Sequence, residues 1–502
     1  RKKFQFWKRK LSWRQMGNKR DTFLKKIAAG QNFGVRLDLI DRRNKRIFHF
    51  GIVEKLLSFL QTAGVKFFEL GNINAVDEIS FKNVSMFAKE PRLISDEMIE
   101  KVGFKIKSNG ANSRLEFIDA TVQHCIDHKN RELLSGFVEF EQKNDHWLQN
   151  YALFSALGKY IGTKEFCSWP DDIRNYDRKS RGVISKQLFD RVIFEKTAQF
   201  LTHISLRNLI ERARQFGIFI GGTADILCEE ISSEVWGNQR LFFLNKFSKA
   251  TVYNGLPPSQ YLEHGLKSSQ IPYRWNEMYN DGYELIRNLL GMQEENFDYV
   301  HMLNGHTIFH YWEIPNLEID GEHGRWVPIK SDLFFEYTKL HLDRFPCIFD
   351  FNNPLSPKHD LSARRHNLLQ LVIYGEPETH AYEQYDLATD IKILASKLCN
   401  MKIPLGSASI QTILSEAKQN LANMLVKNFP LKLIHMGEIC GILGTSVSDV
   451  ANSPEYYGEI LGNLLAGNPQ NANAKKIHKS TKPIAKEKKS ILGSVVSFFR
   501  KK

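Results

Sequence analysis

Paired cysteines are missing from this sequence of 502 residues. Its six cysteines, Cys125, Cys167, Cys228, Cys347, Cys399 and Cys440, are scattered, and none stands in a CxxC pair. That argues against a disulfide framework or a cysteine-built metal site and makes a reducing cytoplasm the simple expectation for location. No uninterrupted apolar run approaches the roughly 20 residues that a membrane-crossing helix needs. The first residue is Arg1, and no secretory signal is visible behind it. A phosphate loop is also missing, because the glycine-rich FIGGT at 219–223 lacks the GxxxxGK signature, and no Ser–His–Asp signature stands out. His301, His306 and His310 share one stretch, but their spacing is not a standard zinc pattern and no cysteine assists, so no metal is expected.

What is present suffices for a large folded body. Hydrophobic residues make up 42% of the chain and charged residues 25%, the balance of a globular protein and not of a disordered one. The length fits one barrel with insertions or two to three domains. The net charge is +13, and it is unevenly placed. Residues 1–30 carry 11 Lys/Arg and one Asp, and residues 475–502 carry 10 Lys/Arg and one Glu. The remaining chain holds 48 basic and 54 acidic residues. Basicity therefore belongs to two tails around a mildly acidic body, and no specific nucleic-acid partner is expected.

Residues 1–32 form a basic arm with Phe4, Phe6, Trp7 and Trp13 interleaved. Such an arm either docks through its aromatics or lies on an anionic surface. From residue 33 the pattern turns globular. Ile52, Leu56, Leu57 and Leu60 recur at helical spacing, and Gly64 then separates them from the short apolar run Val65–Leu70. This reads as a helix followed by a buried strand. The same alternation returns at 200–220, 281–303 and 333–350. Repeated helix–strand units favour a parallel α/β architecture, and the length suits a (β/α)8 TIM barrel over 33–466, with a helical insertion around 97–200 that contains DHWLQNYALFSALGKYIG. Residues 467–490 read as a basic disordered linker. Residues 491–502 form a short basic amphipathic tail, with Ile491, Val495, Phe498 and Phe499 on one face. That tip suits a partner groove, a membrane surface or a site on its own body, and it extends the expected location to the periphery of a membrane or larger assembly.

Several blocks carry a further signal. In order they are HFGIVEKLLSFLQTAG, KFFELGNINAVDEISFKNVSMFAKEPRLIS, DHWLQNYALFSALGKYIGTKEFCSWPDDIR, IFIGGTADI, EVWGNQRLF, GLPPSQYL, YRWNEMYNDGY, FDYVHMLNGHTIFHYWEIP and GRWVP. Over about residues 45–465 this series resembles amylomaltase, the 4-α-glucanotransferase of glycoside hydrolase family 77. The resemblance implies a TIM barrel, no cofactor, and an α-glucan or maltooligosaccharide as partner. Members cut an α-1,4 bond and pass the glucan on with retention. That chemistry requires a carboxylate nucleophile and a second carboxyl as acid/base, about 5–5.5 Å apart.

By the same resemblance, the nucleophile position holds Leu303, which cannot form a glycosyl ester. His301 stands where an arginine orients the nucleophile, and Asn304 where a histidine follows it. Asp350 takes the acid/base place with a side chain one methylene shorter than glutamate, and Phe351 follows it. A third family carboxylate, in GTHDND, has no counterpart. Gly222 and Ser259 stand where the family carries aspartates, and Phe81 where it carries a substrate-binding tyrosine. Phe81, His301 and Asn304 are thus the substrate-side positions. Asp298 lies five residues before Leu303, which puts it on the opposite face of a strand. Trp147, Tyr151, Trp169, Trp236, Pro257, Pro258, Trp312 and Pro315 survive, either as packing or as sugar platforms. The expectation is a catalytically silent amylomaltase-like protein with a binding or scaffolding role, attached by its basic tails to a protein or an anionic membrane. The alternative is a divergent active transferase that relies on Asp350.

Overall fold

The computed structural model describes residues 18–28, 33–42, 44–102, 113–128, 131–259, 262–350, 362, 366, 368–374 and 431–465. The aromatic part of the amino-terminal arm, Phe351, Cys399, the linker 467–490 and the tail 491–502 lie outside the described residues.

The first helix–strand unit shows how the local sequence builds the body. Helix α2 (Phe50–Thr62; α1 is introduced below) buries Phe50, Val53, Leu56, Leu57 and Leu60, the positions that fall on one stripe at 3.6 residues per turn. Gly64, at φ +76°, turns the chain out of the helix. Strand β2 (Phe67–Gly71) follows, and all five of its residues are buried.

Six more described strands join it: β1 (Phe33–Asp38), β3 (Phe219–Asp225), β4 (Tyr299–Leu303), β5 (Cys347–Phe349), β6 (Leu369–Tyr374) and β7 (Leu431–His435). All are parallel, they lie in sequence order, and β7 pairs with β1 to close the barrel. The chain is thus an α/β barrel of the TIM type with many helices around it. Side chains alternate between two compartments. Val35, Leu37, Phe68, Leu70, Ile220, Val300, Met302 and Phe349 face the surrounding helices as part of the main core. Phe67, Tyr299, Ile348, Leu431 and Leu433 form a separate cluster within the barrel. Gly221 makes room for it, since a Cβ there would sit 2.2 Å from the Tyr299 ring.

Helix α1 (Lys19–Ala28) closes that interior cluster. Phe23 is fully buried and meets Phe67 edge-on at 5.3 Å and Tyr299 at 5.5 Å. Lys19 Nζ donates to the Phe297 carbonyl at 2.7 Å, just past the end of the helix Glu284–Asn296, and Arg20 donates to Leu342 O in the helix Ser331–Arg344. Cations at helix C-termini satisfy orphan carbonyls and oppose the helix dipole.

The stretch before β3 is helical: α3 (Arg114–His128), α4 (Arg131–Ile161), α5 (Arg178–Gln187) and α6 (Phe189–Gln215), with short helices between them. Trp169 and Trp236 meet edge-on at 5.5 Å, Phe154 tilts against both, and Trp147 and Tyr151 are buried nearby in the same core. For Trp147, Tyr151, Trp169 and Trp236 the packing role is the one observed. A small antiparallel sheet of 252–256, 266–267, 310–315 and 325–328 flanks the strand ends.

Two outcomes follow for stability. Phe23→Ala should cost about 3–5 kcal/mol in chemical denaturation, because it empties the sealed end of the barrel. His203 on α6 packs on Phe140, and burial, together with Arg207 and Lys143, lowers its pKa to about 3. The unfolded chain therefore binds a proton that the folded one refuses between pH 6.5 and about 3, so stability falls as pH drops through that window. The thermal midpoint should decline from pH 7 to pH 5, and His203→Phe should flatten the decline.

Candidate active site

In a parallel barrel every strand ends at the same face, and the residues at those ends form the site. Here the strand ends supply Asp38 from β1, Asp225 from β3, Leu303 and Asn304 from β4, Asp350 after β5 and His435 from β7. One level below stand Arg36, Glu69 and His301.

These lower residues form a continuous buried chain of charge. His301 Nδ1 lies 3.1 Å from Glu69 Oε1, and Arg36 Nη1 lies 3.4 Å from the same oxygen. Glu69 and His301 are fully buried and Arg36 nearly so. Arg36 donates through Nε to Asp38 Oδ1 at 3.1 Å, and His435 Nε2 lies 3.1 Å from the other oxygen of Asp38. The Gly437 N–H donates to His435 Nδ1, so the proton on Nε2 faces Asp38. At the far end His301 Nε2 lies 3.9 Å from Asp350 Oδ2, beyond direct hydrogen-bond reach. Gly71 is needed beside this chain, since a Cβ there would fall 1.7 Å from Asp38 Oδ1.

A second network holds Asp225. Its Oδ1 accepts from Asn304 Nδ2 at 2.8 Å and from the Leu227 N–H at 3.0 Å, and its Oδ2 accepts from Gln270 Nε2 at 2.5 Å. Asn304 reaches it from a left-handed backbone, φ +57°, a conformation that Asn tolerates better than most residues. Burial pushes the Asp225 carboxyl up, and the bonds from Asn304, Leu227 and Gln270 oppose that shift.

The positions singled out from the sequence therefore divide. Leu303 ends β4 in register with Asp225 and places an aliphatic side chain beside it. His301, Asn304 and Asp350 reach the same end of the barrel, His301 as the partner of Glu69 with Asp350 3.9 Å from its other nitrogen, and Asn304 as a donor to Asp225. Asp350 is 8% exposed and is tied to β4 by its backbone N–H, which donates to Met302 O. Phe81 is 5% exposed and packs with Ile40 and Val76, which follow the ends of β1 and β2, with the cations of Lys45 and Arg92 near its ring. Asp298 precedes β4 at the opposite end of the strand, bonded to Arg214 and to the Ile220 N–H. Gly222 lies within β3, and a Cβ there would meet the Phe297 ring at 2.6 Å. Among the described residues one group brings metal-type donors within 4.8 Å of one another, His264, Asp320 and Glu322, with His264 and Glu322 exposed.

Sequence reasoning passed over Arg36, Asp38, Glu69, Asp225, Gln270 and His435. A signal for three of them was there: VRLD and FFEL place Arg36, Asp38 and Glu69 inside otherwise apolar strands, where an unpaired charge is costly.

Comparison with known proteins agrees with this architecture. The 4-alpha-glucanotransferase model of glycoside hydrolase family 77 matches residues 39–362. The 4-alpha-glucanotransferase of Thermus thermophilus is 25% identical over 327 residues, 62% of this chain and 65% of that protein. The one from Aquifex aeolicus is 23% identical over 308 residues, 59% and 63% of the two chains. The match thus spans just under two thirds of these curated relatives. Among solved structures, an amylomaltase from Streptococcus agalactiae in complex with acarbose superposes with a TM-score of 0.70 at 15% identity, over 87% of this chain and 99% of that one. An amylomaltase from Corynebacterium glutamicum gives 0.57 at 14% identity, over 83% and 69%. At these identities the structural likeness is one of fold.

The buried chain of charge has a measurable consequence. Arg36→Met should cost about 3–5 kcal/mol, because Glu69 is left buried against a histidine alone. The pair Arg36→Met with Glu69→Leu should recover most of that loss in urea denaturation.

Proposed function

This chain belongs to the 4-alpha-glucanotransferase family, and we propose that it is a member that no longer transfers glucan and acts by binding. The carrying observation is Leu303, at the strand end where the family resemblance places the nucleophile. A leucine has no lone pair to attack an anomeric carbon and no charge to stabilise an oxocarbenium ion.

The neighbouring carboxylates support the same reading. Glu69 pairs with Arg36 and lies against His301, Asp38 pairs with Arg36 and lies against His435, and Asp225 is held by three neutral donors. A replacement nucleophile must be ionised and aimed at open space, and these groups are turned into internal bonds. Asp350 remains as a carboxyl at the acid/base place, but an acid without a nucleophile supports one half of a double displacement. The relatives named as 4-alpha-glucanotransferases and the amylomaltase solved with acarbose make an α-glucan the ligand class to try first. The basic ends of the chain supply a means of attachment to a protein or an anionic surface.

The reading is tested with maltotriose. The folded protein should release no glucose above a buffer blank, while maltoheptaose raises its thermal midpoint. Disproportionation that disappears in Asp350→Ala would overturn the loss of catalysis. A flat thermal shift and a flat calorimetric titration with maltoheptaose would overturn the glucan-binding part.

A further inference from the structure

The corner where α5 meets α6 presents a surface that neither the barrel nor its strand ends explain. The segment 178–191, RKSRGVISKQLFDR, contains five cations and one acid, Asp190. In α5, Lys179, Gly182, Val183 and Lys186 fall at i, i+3, i+4 and i+7 and therefore share one face. All four are exposed. The helix is fixed on its other side. Asp177 caps it by accepting from the Ser180 N–H, Arg181 stacks on the Tyr176 ring at 3.7 Å, Gln149 of α4 donates to Ser185, and Leu188 is buried behind it.

Bare apolar groups stand on α5, at the start of α6 and at the end of α4. Val183 is 52% exposed, Phe189 at the start of α6 is 61% exposed, and Tyr160 at the end of α4 is 63% exposed. Arg191 joins the two helices, with its guanidinium 6.0 Å from the Tyr160 ring centre. Among the described residues no carboxylate lies within ion-pair distance of Lys179, Lys186 or Arg191. A folded protein usually covers such aromatics, and here exposed aromatics and cations outside any ion pair lie close together, with Asp177 acting on Lys179 from the start of α5.

We propose that this corner docks on an anionic lipid bilayer. Lysine and arginine at a headgroup layer gain Coulomb energy with acidic lipids, while Tyr, Phe and Val side chains enter the boundary between headgroups and acyl chains. Side chains that project with more than half their surface bare suit a soft layer, which needs no matching pocket. The corner belongs to the rigid helical body and so differs from attachment by the basic ends, which adds long-range attraction for the same surface.

The test uses the full chain and phosphatidylcholine vesicles with and without phosphatidylserine. The protein should float with the phosphatidylserine vesicles only, and amine-reactive footprinting read by mass spectrometry should show Lys179 and Lys186 protected in the bound state. Lys179→Ala with Lys186→Ala should raise the lipid concentration for half-binding on the order of 30-fold. Phe189→Ser with Tyr160→Ser should weaken binding at unchanged thermal midpoint, since both residues lie on the surface. Flotation with full reactivity at Lys179 and Lys186, and unaltered by either pair of substitutions, would overturn the proposal and leave binding to the basic ends. So would an absence of flotation, or a footprint at Lys179 and Lys186 produced by polyglutamate and not by vesicles, which would identify an acidic protein as the partner.

Discussion

A carboxylate buried in the middle of a barrel must be neutralised there, and much of this structure follows from how Glu69 is. Burying an isolated charge is far costlier than any single packing gain, so its partners must come from the barrel itself. Arg36 on β1 and His301 on β4 supply them from either side. Each then draws in another group, Asp38 and His435 in one direction and Asp350 in the other. The barrel thus has an apolar lower half, sealed by Phe23 of α1, and an ionic upper half.

This division bears on chemistry. A glycosidase keeps two carboxyl groups free to face a sugar. Here Asp38 bonds to Arg36 and Asp225 bonds to the amides of Asn304 and Gln270, and Leu303 stands in register with Asp225. Asn304 and Gln270 hold Asp225 as firmly as a structural carboxylate is held elsewhere in a core. The fold is the family's, and inside it Arg36 and His301 meet Glu69 while Asn304 and Gln270 meet Asp225. The surface differs, with cations and aromatics exposed around α5 and the start of α6 while Glu69 in the core is paired with Arg36.

Sequence alone determined the architecture of this chain. The helix–strand units around 50–71, 200–225, 281–303 and 331–350 are legible because apolar periodicity is a local property: a helix repeats every 3.6 residues and a buried strand is a short apolar run. The ordered blocks determined the family, and Leu303 could be placed because its block aligns without a gap. What only the tertiary structure decided is who meets whom. Glu69 and His301 are 232 residues apart and His435 and Asp38 are 397 apart, and no local pattern pairs them. Phe81 packs on Ile40 and Val76, 41 and 5 residues away along the chain, contacts that no local pattern shows. Barrel closure brings distant strands to one axis, and the cost of an unpaired interior charge then selects the contacts that form there.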